Sequence, residues 1–98
     1  MKVSRHAVER FLERKKRNGS NYYKHAEQSI IGLTKNPDKI RLTPCNRYAP
    51  KCYKKHGFFN DYIFSDNWIV VYDMNNDLVK TVIKGSLEEC LKNFDTLY

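Results

Sequence analysis

The chain has 98 residues, 41% of them apolar and 13% aromatic, and its 18 Lys and Arg against 11 Asp and Glu give a formal charge of +7. That length sustains one core of helices on a sheet but not two, and the apolar content excludes a disordered chain. The charge makes polyanions the natural partners, nucleic acid first among them, and no apolar run approaches the roughly 20 residues of a membrane span.

The opening MKVSRHAVER carries charges where a secretory signal would be apolar, and Cys45, Cys52 and Cys90 are odd in number. A cytoplasmic chain with reduced thiols is therefore expected, without a membrane partner. Ser4 is placed to cap a predicted helix over residues 5 to about 17, in which Ala7, Val8, Phe11 and Leu12 make one buried stripe. His6, Arg10, Glu13, Arg14 and Arg17 recur at intervals of three and four along the opposite face.

In the first turn His6 meets unpaired backbone N–H groups and the positive end of the helix dipole, which disfavour imidazolium and can hold a phosphate. A neutral imidazole there can serve as a base; the competing reading is a solvated helix face with a surface histidine. Asn18-Gly19-Ser20 breaks this helix, and a second is predicted from Ser20 or Asn21 to about Thr34, with Tyr23, Ala26, Ile30 and Leu33 inward. Asn36-Pro37-Asp38 stops it, leaving an antiparallel helical hairpin.

Residues 39–45 alternate Ile40 and Leu42 with Arg41 and Thr43, a first strand ended by Pro44. Residues 46–57 read as a Pro-interrupted loop carrying Arg47, Lys51, Lys54, Lys55 and His56, with Tyr48 and Tyr53 interleaved. Cations hold phosphates and rings stack on unpaired bases, so this mixture suits single-stranded RNA; a basic loop with two half-buried tyrosines is the alternative. Residues 58–64 read as a second strand, turned by Ser65-Asp66-Asn67.

Residues 68–85, WIVVYDMNNDLVKTVIKG, carry the strongest local signal: two apolar, β-branched runs around a polar break, hence an antiparallel hairpin. A turn on Asn76-Asp77 sets Asp73 opposite Lys80, Tyr72 opposite Thr81 and Val70 opposite Ile83, pairing opposite charges and like apolar groups. The first strand is apolar on both faces, as for an interior strand with helices on one side and a cleft on the other, and Tyr72 and Thr81 are the polar-tipped residues nearby. Ser86-Leu87-Glu88-Glu89 is a capping box that opens a closing helix with Leu87, Cys90, Leu91 and Phe94 as its apolar stripe.

The expectation is one α+β domain over residues 1–98: an N-terminal helical hairpin packed on a four-stranded antiparallel sheet, with a short C-terminal helix. Cys45, Cys52, His56 and Cys90 are zinc-type donors without compact spacing, and none of the four glycines lies in a phosphate-binding loop, so neither metal nor cofactor is expected.

The helix pair, the basic first strand and loop, and DYIFSDNWIVVYDMNNDLVKTVI together resemble the RelE/ParE-like ribonuclease toxins of the barnase, EndoU, colicin and RelE group. His6-Ala7-Val8-Glu9-Arg10 is similar to the His-Ala-x-x-Arg opening of small phage and bacterial domains that close on a strand bearing Thr, here Thr81. The closing helix departs from the toxins' cationic, tyrosine-bearing tail in carrying Glu88, Glu89 and Asp95, which argues against ribosome-dependent cleavage.

The resemblance implies metal-independent RNA cleavage by attack of a 2′-hydroxyl on its own phosphate, with His6 as base, Arg10 and Arg14 as phosphate clamp, Thr81 orienting a phosphate oxygen and His56 or a lysine as acid. Arg17, Arg47, Tyr48, Lys51, Tyr53, Lys54, Lys55 and His56 would contact RNA, with a cognate antitoxin or host protein as a further partner. The alternative is a non-catalytic basic module on the same fold that binds RNA, DNA or an acidic host protein, such as a phage host-takeover or anti-defence protein.

Overall fold

The structure is a computed structural model that describes residues 1–15 and 20–97. In chain order the elements are β1 (Lys2–Val3), α1 (Arg5–Arg14), α2 (Ser20–Lys35), β2 (Ile40–Pro44), α3 (Ala49–His56), β3 (Asn60–Ser65), β4 (Trp68–Asp73), β5 (Leu78–Lys84), α4 (Leu87–Cys90) and β6 (Phe94–Thr96). The class is α+β, as the sequence pattern predicts, but the sheet has six strands in the order β1-β5-β4-β3-β2-β6 and is mixed rather than purely antiparallel.

The two additional strands are its edges. β1 runs parallel to β5, with Lys2 beside Leu78 and Val3 beside Val79, and β6 runs antiparallel to β2 from Leu42–Thr96 to Pro44–Phe94. Strands of two and three residues are too short to show a period of two, so the sequence carries no pattern for them. The predicted closing helix is a single turn: its capping box forms, but Phe94 leaves the helical stripe to pack in the sheet against the rings of Tyr48 and Tyr62, both 5.4 Å away.

The predicted basic loop contains α3. Pro50 interrupts nothing because it sits in the first helical turn, where no N–H is required of it. Cys52 is the fully buried residue that fastens the helix, its thiol donating to the Tyr62 hydroxyl at 3.1 Å.

The sheet is covered on both faces. α1 and α2 lie on one, burying Ala7, Val8, Phe11, Ala26 and Ile30 against Trp68 and Val70; on the other, Ile69 and Val71 meet Leu42, Cys52, Tyr62 and Phe94. β4 is thus the interior strand, and its alternating residues belong to two different cores.

The hairpin register differs from the charge-pairing expectation. Val70 faces Val82 and Val71 faces Thr81, then a β-bulge shifts the ladder so that Tyr72 faces Val79 and Asp73 faces Leu78. Asp73 is occupied by its own turn, accepting from the N–H groups of Asn75 and Asn76 at 3.0 and 3.2 Å and from the Asn76 amide at 2.8 Å. These bonds, the Asn76 amide first, hold its carboxyl below the usual carboxylate range. The bulge sets Lys80 outside the ladder, yet its ammonium still reaches Asp73 at 3.7 Å.

Candidate active site

The start of α1, the end of α3 and the bulged part of β5 meet around a cleft of about 320 Å³ lined by His6, Lys55, His56, Lys80 and Thr81. β1 pairs β5 at Leu78 and Val79, and beyond that point, among the described residues, the backbone of β5 on this side is taken up by Ser4. The Ser4 N–H donates to the Val79 carbonyl at 2.9 Å and its hydroxyl to the Lys80 carbonyl at 2.7 Å. The same hydroxyl accepts the Ala7 N–H at 3.0 Å, so one residue caps α1 and hooks it to β5, two positions before His6.

α3 is tied down from the other side. The Lys80 ammonium donates to the His56 carbonyl at 2.8 Å, and the Asn60 amide donates to the carbonyls of His56 and Gly57 at 2.9 and 3.2 Å. Gly57 follows with φ of +82°, a conformation L side chains rarely adopt, and a Cβ there would lie 3.4 Å from the Lys80 ammonium. The positive φ is what favours glycine here, since that contact is an ordinary one with the end of a flexible side chain.

Burial, then the charges of Lys55 and Lys80, then His6, push the His56 imidazole below its ordinary value of 6.5. Its Nε2 is buried with no hydrogen-bond partner among the described residues. A neutral imidazole, a second histidine, two ammonium groups and the hydroxyl of the buried Thr81 are thereby gathered in a space the size of a phosphodiester and its neighbouring sugars. Such a group can take one proton, give another and hold negative charge between them. A larger hollow of about 570 Å³, bordered by Phe11, Asn36, Ser65 and Asp66, contains no histidine.

Of the catalytic residues expected from the sequence, His6 and Thr81 line this cleft together. Arg10 and Arg14 do not: Arg10 is half-exposed one turn along α1 with its guanidinium 3.9 Å from Glu13, and Arg14 is exposed in the last turn. Arg17 lies outside the described residues. Among the residues expected to contact RNA, Lys55 and His56 belong to the cleft, while Lys51, Tyr53 and Lys54 are exposed on α3. Arg47 donates to the Lys92 carbonyl at 2.6 Å, and Tyr48 is half-buried against Phe94.

The sequence pattern places Lys80 in the hairpin ladder and misses it as a cleft residue; the available signal is a cation between the apolar residues Val79 and Val82 in the middle of the strand. Among the described residues, no three His, Cys, Asp or Glu side chains gather into a metal-holding group. No protein-family model matches the chain, and neither a curated protein nor a solved structure matches it.

Proposed function

We propose that the protein is a small metal-independent endoribonuclease of toxin or phage type, acting on RNA in the cytoplasm. The observation that carries this reading is the shared cleft of His6, His56, Lys80 and Thr81. A module that only bound polyanions would need a dispersed positive surface, with no use for two imidazoles facing one small space.

His56, held neutral by burial and by the charges of Lys55 and Lys80, serves as the base, which reverses the roles the sequence suggested for the two histidines. His56 takes the 2′-hydroxyl proton as that oxygen bonds to phosphorus; the P–O5′ bond breaks, and His6 gives a proton to the leaving 5′-oxygen. The products are a 2′,3′-cyclic phosphate and a 5′-hydroxyl. Lys80 and Lys55 offset charge on the non-bridging oxygens, and Thr81 orients one of them. Arg10 and Arg14, further along the α1 face that His6 shares, hold neighbouring phosphates, and a cognate antitoxin or host protein is a further partner of this surface.

The test is cleavage of single-stranded RNA in EDTA by the parent, His6→Ala and His56→Ala. Each substitution is expected to lower the rate by about 10²-fold or more, the usual scale for a general acid or base, with cyclic phosphate ends among the parent's products. Equal cutting by parent and variants sinks the assignment. A parent that binds RNA and never cuts it makes the protein the non-catalytic binding module.

A further inference from the structure

We infer that the rings of Tyr53, Phe58 and Phe59 form a stacking platform for an unpaired base next to the scissile phosphate, so that the substrate is single-stranded RNA; cleavage at that phosphate rests on the ribonuclease reading, and the platform does not. Phe58 and Phe59 are 65% and 69% exposed and belong to neither core, whereas a strand beginning at Phe58 would have buried one of them. Their rings are 6.5 Å apart, and Tyr53 reaches over from α3 to within 5.0 Å of Phe58. The three form one continuous apolar surface.

The backbone is held so as to present them. Phe59 has φ of +64°, a conformation bulky L residues rarely adopt, and Gly57 has φ of +82°. The Asn60 amide braces the turn through the carbonyls of His56 and Gly57. A strained residue whose ring faces solvent contributes nothing to the core that would offset the strain, so a role outside the fold accounts for it better. Phe58 is two residues beyond His56, and two residues span at most about 7 Å of chain. The backbone of Phe58 therefore lies close to that of the cleft residue His56.

Charge selects the occupant. Lys51, Lys54 and Lys55 are exposed on α3, which also carries Tyr53, the Asp61 carboxylate is paired with Arg41 at 2.8 Å, and a groove of about 250 Å³ is lined in part by Tyr53, Phe58 and Phe59. Cations on the helix that carries one of the rings suit a strand whose bases are splayed out. A duplex, with its bases stacked inside, offers the rings nothing.

The probe is a short, fluorescein-labelled 2′-O-methyl RNA of mixed sequence, single-stranded or annealed to its complement, with binding followed by anisotropy. The parent should prefer the single strand. Phe58→Ser with Phe59→Asn, chosen because Asn tolerates positive φ, should weaken single-strand binding by at least about fivefold per base lost from the stack, leave duplex binding unchanged and melt no lower than the parent. Phe58→Trp should restore the affinity. A 2′-O-methyl strand has no hydroxyl to attack its phosphate, so this result is independent of catalysis: a platform that binds in a protein that never cuts ordinary RNA overturns the enzyme and not the platform. Unchanged single-strand affinity in the double variant overturns the platform and leaves the patch to an apolar protein partner.

Discussion

Lys80→Met removes one ammonium group from two partners at once. The Lys80 side chain is 31% exposed, donates to the His56 carbonyl at 2.8 Å and lies 3.7 Å from Asp73. A hydrogen bond from a charged donor contributes about 1.5–3 kcal/mol, and the low end applies because neither acceptor is orphaned. The His56 carbonyl keeps the Asn60 amide, and Asp73 keeps its three bonds within the turn. A loss near 1.5 kcal/mol in a domain of this size lowers the melting temperature by about 6–12 °C. Chemistry should change by more than stability does, since loss of a group facing developing negative charge costs on the order of 10²-fold in rate. The decisive readout is His56. Lys80 is one of the cations that disfavour its imidazolium, so removing it raises the His56 pKa, while burial and Lys55 still hold it under the ordinary 6.5. The acid limb of the cleavage profile should move to higher pH, and so should the His56 ring signal in an NMR titration, which needs no activity. A variant that melts with the parent and leaves the His56 titration unmoved would show that Lys80 neither holds α3 nor faces the imidazole.

Ser4→Ala removes the cap of α1 and its hook to β5, so stability should fall by about 1 kcal/mol; cleavage measured where the variant is fully folded should fall further because His6 is no longer fixed, and Ser4→Thr should restore both. Val71→Asp places a charge in the middle of β4 at a position with 0% exposure, and should cost about 3 kcal/mol or more; a soluble variant melting beside the parent in a thermal scan would contradict the two-faced burial of that strand. The His56 imidazole titrates lower in the fold than in the unfolded chain, so its contribution to stability is complete above 6.5 and is lost as the pH falls through the lower folded value. Urea midpoints should drop across that interval in the parent and drop less in His56→Gln.

What the sequence made legible was local. Ser4 and Ser86 are capping residues by type and position, and both act as caps. The hairpin from Trp68 to Lys84 has an unmistakable composition. Its register was not legible, because matching Asp73 to Lys80 ignored the claim that Asn75 and Asn76 make on the same carboxylate. α3 was hidden by Pro50, a breaker in most positions and harmless in a first turn. Phe58 and Phe59 read as strand because aromatic pairs usually are; the positive φ of Phe59, imposed by the turn after α3, takes them out of the ladder. His6, His56 and Thr81 could each be singled out as chemically capable, but their meeting depends on Ser4 and Lys80, which act across gaps of 76 and 24 residues. No window along the chain contains that information.

The cleft owes its existence to one irregularity. Along an unbroken strand, Val79 and Val82 would point to opposite faces, since side chains alternate with a period of two. Both are nevertheless buried with α1 and α2 in the same core. The bulge resolves this by spending an extra residue between them, so that Lys80 and Thr81 are the consecutive pair that line the cleft while Val79 and Val82 stay together on the other side. The apolar residues alone would be satisfied by regular pairing with one residue fewer. The extra residue is a lysine, it reaches the carbonyl of the histidine across the cleft, and it leaves Thr81 lining the same cleft as His6. A regular strand one residue shorter, without Lys80, would keep the core and lose the site.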